Sequence, residues 1–357
     1  MTPTFDKIHL RFKLNNNNYN YEELKEVAYS LVKEGVPYEK IIGDFLLDWL
    51  DDKDYLVIKT SGSTGTPKPI KVSKQAMVNS SISTADFFEF EPGNTALHCL
   101  PTKYVAGKMM LVRAMILGLE LDMVEPSANP VFDYEKQYHF GAMVPFQLQN
   151  SLKNCNNIKT IIIGGAPASH HLIDQVQNSV ANVYETFGMT ETVSHIAVRK
   201  LNNFSNGQSI SNSYFKTLPS IKISQDERRC LIINAPKISK EQIVTNDIVK
   251  LHSDKEFEWL GRFDNVINSG GVKIFPESIE KKIEDKLSGR FFIASENDEK
   301  FGENVILVLE GEQRKIPSEV FEGLDDLEIP KQIYFVPKFS ETVNGKIQRS
   351  QTLKLLK

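Results

Sequence analysis

The chain has 357 residues, long enough for two domains of ordinary size and a sizeable buried core. A hydrophobic share of 41% with 25% charged residues fits a globular protein, and a net charge of −4 disfavours non-specific nucleic-acid binding. The cysteines Cys99, Cys155 and Cys230 are far apart and form no CxxC pair, which argues against a zinc site or disulfide framework and for a reducing cytoplasm.

At the start, MTPTFDKIHLRFKLNNNN lacks the apolar run of a signal peptide, so none is expected. NNNNYNY at 15–21 reads as a loop or turn. EELKEVAYSLVKE at 22–34 sets Leu24, Val27, Ala28 and Leu31 on one helical face. YLVIKT at 55–60 is a β-rich run leading into TSGSTGTPK at 60–68. Ser73 is an N-cap for a helix reaching about Phe88. TALHCLP at 95–101 reads as a strand and 106–118 as a helix. The stretch MMLVRAMILGLELDMV at 109–124 is broken by Arg113, is too short to span a bilayer, and reads as a buried helix. FGAMVP at 140–145 and KTIIIGG at 159–165 are short apolar runs, with helical segments at 146–154 and 169–179. This alternation predicts a parallel or mixed sheet covered on both faces.

After Lys200 the texture changes to strand-like runs at 231–235, 242–251 and 256–261. A turn-rich segment, RFDNVINSGGVKIFPE, fills 262–277. Pro276 then opens a helix over 277–288. FFIAS (291–295), NVILVLE (304–310) and QIYFVP (332–337) are further strand candidates. The expected fold class is α/β. A large N-terminal domain, 1–263, would hold helix-covered mixed or parallel sheets, and 264–357 would form a small C-terminal α+β domain.

Five stretches carry candidate chemistry. In TSGSTGTPK, Thr60, Ser61, Ser63, Thr64, Thr66 and Lys68 offer hydroxyls and a cation, and Gly62 and Gly65 let backbone N–H groups turn toward an anion. A Walker A loop needs four residues between its glycines, and here there are two, so this is not a P-loop. YETFGMTET at 184–192 offers Phe187 to a base, Gly188 as a turn, and a Thr190–Glu191 pair whose carboxylate can hold Mg²⁺. In VTNDIVKL at 244–251, Asp247, read as lying just after a strand, can accept from ribose hydroxyls. WLGRFDNVINSGGVKIFPE at 259–277 holds an Arg-x-Asp and a Gly-Gly turn, and VNGKIQR at 343–349 places Lys346 on a turn. Alone, each also reads as an ordinary surface turn, a solvated charge or a linker.

Their order and joint presence resemble the adenylate-forming superfamily of acyl-CoA synthetases, luciferase-like enzymes and non-ribosomal adenylation domains, over roughly residues 55–350. TSGSTGTPK is similar to the family's nucleotide loop and FGMTE to its Tyr-Gly-x-Thr-Glu motif, with Phe187 in place of tyrosine. TND at 245–247 stands for Thr-Gly-Asp, GRFD at 261–264 resembles the hinge motif, and NGK at 344–346 the catalytic-lysine motif. The resemblance implies that a carboxylate attacks the α-phosphorus of ATP to give an acyl-AMP, which a thiol such as that of CoA then opens. Lys346 would bridge the carboxylate and the α-phosphate, and Glu191, beside Thr190, would place Mg²⁺. Gly164, Gly165 and Ala166 would lie against adenine with Phe187 stacked on it, and Asp247 and Arg262 would hold the ribose. Rotation about Asp264 would exchange Lys346 for Ser269, Gly270 and Gly271, past which a pantetheine arm would run.

Residues 98–118 resemble the family's acyl-pocket helix, with Tyr104 and Gly107 in the pocket. GMTETVSHIAVRKL is most similar to the o-succinylbenzoate–CoA ligase group of menaquinone biosynthesis. That acid has two carboxylates, so a cation must meet the one that does not react. Lys103, Lys108, Arg113, His195 and Arg199 are the candidates. Two alternatives stay open: an adenylating enzyme for another aryl or fatty acid, loading CoA or a carrier protein, and a non-catalytic nucleotide-binding relative. Only 59 residues precede the glycine loop, so part of the usual N-terminal domain is expected to be absent. The implied partners are the acid, ATP and CoA, with no nucleic acid and no stable membrane insertion, and a homo-oligomer is compatible.

Overall fold

A computed structural model describes residues 3–59, 69–205, 207–341 and 347–356. The glycine loop at 60–68 and Lys346 lie outside the described residues, so their expected roles rest on sequence.

The asparagine tract is a hairpin. β1 (Lys13–Leu14) and β2 (Asn17–Asn18) meet through Asn15 and Asn16 at φ 47° and 66°. Asparagine tolerates the left-handed region that such a two-residue turn demands. α1 (Tyr21–Glu34) follows, opened by an Asn20–Glu23 capping box. α2 (Pro37–Trp49) packs back on it and was not foreseen. Its signal was present: Pro37 stands at the first turn, and Ile42, Phe45, Leu46 and Trp49 bury one face.

β3 (Tyr55–Lys59) and β4 (Pro69–Ser73) form an antiparallel hairpin in which Lys59 is paired with Pro69. The glycine loop therefore joins two strands of one hairpin. α3 (Lys74–Phe88) starts at once from its Ser73 cap. β5 (Thr95–His98), α4 (Val105–Leu117) and β6 (Glu120–Met123) come next. α4 matches the helix expected over 106–118, whereas the reading of 109–124 as one buried helix is corrected: the helix ends at Leu117, where Gly118 turns left-handed at φ 71°, and the following residues alternate buried and half-buried as a strand.

β7 (Tyr138–Met143), α5 (Pro145–Ser151), β8 (Ile158–Ile163), α6 (His170–Val176) and β9 (Asn182–Gly188) complete the alternating part. β10 (His195–Lys200), β11 (Phe215–Thr217), β12 (Lys222–Gln225), β13 (Cys230–Asn234), β14 (Ile243–Leu251) and β15 (Glu256–Arg262) extend the same sheet. Its thirteen strands run in the order β12-β13-β14-β15-β11-β10-β9-β8-β7-β5-β6-β1-β2. From β9 to β1 neighbouring strands are parallel, and from β9 to β12 they are antiparallel. The fold is the expected α/β class with a mixed sheet. Alternate residues serve opposite faces: Ala96, Phe140 and Ile162 pack under α1–α4, whereas Leu97, Ile161 and Ile163 pack under α5 and α6. Each fully buried leucine, isoleucine or phenylalanine of this kind contributes about 1.5–3 kcal/mol.

From Ile267 on, every strand belongs to a separate sheet. It contains β16 (Ile267–Ser269), β17 (Val272–Ile274), β18 (Phe291–Asp298), β19 (Gly302–Glu310) and β20 (Gln332–Val336), with α7 (Pro276–Ile283) and α8 (Arg349–Leu353). This part has its own apolar clusters, around Ile279, Ile293 and Leu307 and around Phe292 and Phe339. No helix among the described residues is long and apolar enough to cross a membrane.

One ion pair, with a buried lysine and a half-buried aspartate, ties down the base of the glycine-loop hairpin. Lys74, fully buried at the start of α3, donates to the Asp51 carboxylate at 2.8 Å and to the Asp51 carbonyl at 3.0 Å. Burial alone would raise the Asp51 carboxyl, but hydrogen bonds from Lys74 and Lys53 outweigh it and hold the pKa down at about 2. Asp51→Asn should cost about 3 kcal/mol at pH 7, because it strands a buried ammonium. A carboxylate depressed in the folded state contributes stability that is present above its unfolded pKa, near 4, and lost toward pH 2. Urea melts should therefore show wild type and variant converging as pH falls from about 4 to 2.

Candidate active site

Parallel strands end on the same side of a sheet, so the C-terminal ends of β5, β7, β8 and β9 meet at one edge. Most of the candidate residues leave from that edge. After β8, Gly164 and Gly165 turn the chain, with Gly165 at φ 88°. A Cβ on Gly164 would collide with the Thr186 hydroxyl oxygen. Thr186 in turn donates to the Ile163 carbonyl at 2.9 Å, locking the turn to β9. Ala166 is exposed just beyond. Two residues later the Ala168 N–H donates to Glu185 at 2.9 Å, and Glu185 pairs with Arg199 at 2.6 Å.

Phe187 is the penultimate residue of β9. Its ring lies edge-on to Phe257 and Phe215, with centroids 5.2 and 5.8 Å away. Gly188 follows where the chain doubles back: a Cβ there would meet the Ser194 carbonyl oxygen at 2.5 Å and the His195 Cα at 2.6 Å. Thr190–Thr192 is a single 3₁₀ turn. Glu191 is exposed on it and makes no ion pair among the described residues. A lone carboxylate suits Mg²⁺, which is usually held by one or two carboxylates plus substrate phosphates. Among the described residues no cluster of three or more His, Cys, Asp or Glu could hold a metal by itself.

Asp247 lies within β14 rather than just after a strand, next to a bulge at Ile248–Val249 and directly across from Arg262 of β15. Its carboxylate accepts from the Trp259 indole N–H at 3.0 Å and faces the Arg262 guanidinium at 3.6 Å. Arg262 also reaches Asp264 at 3.4 Å, and Asn246 donates to Asp264 at 3.3 Å. Asp247, Arg262 and Asp264 thus form one group, with Trp259 as the member that sequence reasoning missed. Ser269, Gly270 and Gly271 make the tight turn between β16 and β17. Gly270 and Gly271 sit at φ 58° and 83°, as a two-residue hairpin turn requires, so the turn itself accounts for both glycines.

The proposed acyl-pocket residues separate. Gly107 lets α4 close on the preceding loop, since a Cβ would meet the Pro101 carbonyl oxygen at 2.5 Å. Lys103 and Tyr104 are exposed side by side. Lys108 lies over the Phe45 ring of α2 at 4.8 Å, near Asp44 and Asp48. Arg199 is taken by Glu185. Arg113 of α4 is different. It is 2% exposed and has no carboxylate partner among the described residues. Its Nη2 donates to the Ser194 hydroxyl at 2.8 Å and lies 3.4 Å from His195 Nδ1; its Nε finds no partner. Burial lowers the Arg113 pKa to about 10, which leaves it charged at neutral pH. A buried charge without a counter-charge costs several kcal/mol, which sets Arg113 apart from the other candidate cations.

The fold and these residues place the chain in a nucleotide-handling class, and it belongs to the AMP-binding enzyme family, whose family model matches residues 17–227. An acyl-CoA synthetase (AMP-forming)/AMP-acid ligase II-like protein from Dyadobacter fermentans is 36% identical, over 93% of this chain and 98% of that one, with a TM-score of 0.61. The 2-succinylbenzoate–CoA ligase of Listeria innocua is 24% identical over 97% of this chain and 80% of its own length. The o-succinylbenzoate coenzyme A synthetase of Bacillus subtilis, solved in complex with ATP and magnesium ion, shares the fold at a TM-score of 0.71 and 19% identity, over 92% of this chain and 82% of that one.

Gly188→Ala tests the turn that carries Glu191. Its Cβ must displace backbone rather than a flexible side chain. A melting temperature lowered by several degrees, equivalent to about 2 kcal/mol or more, is expected.

Proposed function

We propose that this chain is an AMP-forming acid–CoA ligase whose acid is o-succinylbenzoate. The observation that carries the choice of acid is Arg113: a buried guanidinium without a carboxylate suits an acid with a second carboxylate and spoils an apolar fatty-acid tunnel. The 2-succinylbenzoate–CoA ligases among its relatives support the same reading.

A carboxylate oxygen of the acid attacks the α-phosphorus of ATP. An O–P bond forms, the bond from the α-phosphorus to its bridging oxygen breaks, and pyrophosphate leaves. The CoA thiol then loses its proton, its sulfur bonds to the acyl carbon, and AMP departs. Neither step uses a protein nucleophile, so the residues act by position and charge. Glu191 fits a Mg²⁺ ion, which would offset repulsion between the acid and the triphosphate. Asp247 accepts from the ribose hydroxyls while Trp259 and Arg262 fix its carboxylate. The backbone at Gly164–Ala166 and the Phe187 ring border the adenine. Arg113 holds the second carboxylate. The glycine loop at 60–68 grips the β- and γ-phosphates, and Lys346 bridges the two reacting groups.

Thioester formation calls for a second arrangement. Residues 264–357 would turn about Asp264, withdrawing Lys346 and advancing the Ser269–Gly271 turn. Supporting this, the strands on either side of 263–265 belong to different sheets with separate cores. The contacts that must part include the packing of α7 on β15, the His170 N–H to Glu284 at 3.3 Å, the His170 ring beside Asp285 at 3.7 Å, and Lys281 near Arg199, Glu185 and Glu258. The enzyme would work in the cytoplasm on small molecules.

Purified protein with ATP, Mg²⁺, CoA and a panel of acids should release AMP and thioester with o-succinylbenzoate. Turnover of a fatty or simple aryl acid instead would overturn the choice of acid, and turnover only with a carrier-protein thiol would overturn CoA. Lys346→Ala should slow acyl-adenylate formation about 10²-fold or more and leave thioester formation from supplied acyl-adenylate within about threefold. Asp264→Pro should do the reverse, and equal loss of both half-reactions would count against a hinge.

A further inference from the structure

His195 opens β10 beneath the turn that carries Glu191, and two backbone distortions converge on it. Val193 holds φ 67° and ψ −49°, with the Ser194 N–H bonded to the Thr192 carbonyl at 2.7 Å. This is a γ-turn with positive φ, a conformation that costs a β-branched residue about 1–3 kcal/mol. The pairing of β9 with β10 then slips at a bulge between His195 and Ala197, a device that re-aims a side chain. The result is a buried imidazole with partners on two helices. Nδ1 lies 3.4 Å from Arg113 Nη2 on α4, and Nε2 lies 3.5 Å from the Thr84 hydroxyl on α3. Thr84 is itself fixed by a bond to the Ser80 carbonyl at 3.0 Å.

A guanidinium only donates, so Nδ1 is the accepting nitrogen and the ring proton sits on Nε2, facing Thr84. Burial, with the charge of Arg113 added, drives the imidazole pKa well below its ordinary 6.5. The neutral ring therefore orients the guanidinium without adding a second charge. We propose that His195, seated on Thr84, is a positioning residue that fixes the direction in which Arg113 presents its N–H groups to the second carboxylate of the acid. This rests on the functional reading above, in which Arg113 meets that carboxylate. It explains why strain is stored at Val193: relaxing the turn would swing Ser194 and His195 off the guanidinium together.

Calorimetric titration with o-succinylbenzoate and with 4-oxo-4-phenylbutanoate, the same acid without its ring carboxylate, tests the role. Wild type should bind the diacid about tenfold tighter or more. His195→Leu should lose about tenfold on the diacid and nothing on the monoacid. His195→Asn, whose amide oxygen can accept near the Nδ1 position, should keep the diacid within about threefold of wild type. Equal losses on both acids, no loss, or no wild-type preference for the diacid would overturn the proposal. Should His195→Leu fail to fold, Thr84→Val decides in the same way, with a loss of about threefold expected on the diacid alone. Turnover of o-succinylbenzoate by wild type judges the functional reading separately: selective binding without turnover would end that reading and leave the role of His195 to the affinities.

Discussion

Parallel pairing is the constraint from which the site follows. Once β5, β7, β8 and β9 run side by side in one direction, each must finish at the same edge, and whatever follows them is gathered there. The Gly164–Gly165 turn, the Phe187–Glu191 turn and the loop into α4 are three such continuations. Their glycines answer to that crowding. Gly107, Gly164 and Gly188 each stand where a Cβ would strike a neighbouring chain at 2.5 Å or less. The antiparallel half of the sheet contributes differently: β14 and β15 face Asp247 with Arg262 across one register position.

On this frame the chemistry is electrostatic. An acid anion, a polyphosphate and the growing negative charge between them must be held together without a covalent handle. The charges to which the proposed mechanism assigns this work differ in burial. Glu191 is exposed and uncommitted, Asp247 is buried and already oriented by Trp259, and Arg113 is buried with only neutral partners. A fully exposed cation in place of Arg113 would be screened by water, whereas a buried one keeps its field and costs stability in return. The strained Val193 turn lies between the Glu191 carboxylate and the Ser194–His195 pair, so in the proposed mechanism one short segment would serve both the Mg²⁺ side and the acid side of the reaction.

Much of the fold could be read from the chain. The alternation of apolar runs with helical periods gave a mixed sheet covered on both faces, and the change of texture read after Lys200 falls one strand beyond the switch to antiparallel pairing, which begins with β10. Besides the placement of Asp247, which lies within β14, two readings failed for local reasons. The 109–124 stretch looked like one helix because its apolar character does not lapse at Gly118, although a glycine in the left-handed region ends the helix there. α2 was passed over although its apolar residues share one face and its charges Asp44 and Asp48 lie exposed on the other. The site was legible where a backbone motif carries it, at Gly188 and at Asp247, and illegible where it depends on distant partners. Arg113 and His195 were named among five candidate cations, but nothing in the sequence adds Thr84 to them or shows that the three elements meet, and Trp259 reads as an ordinary strand aromatic until its indole is seen on Asp247.

The central claim is that the acid attacks the α-phosphorus of ATP. The most direct measurement is a turnover with o-succinylbenzoate carrying ¹⁸O in both carboxylates, followed by mass spectrometry of the nucleotide and phosphate products. The account predicts one ¹⁸O atom in AMP and none in pyrophosphate. Label appearing in inorganic phosphate alongside ADP would place the attack at the γ-phosphorus and contradict it.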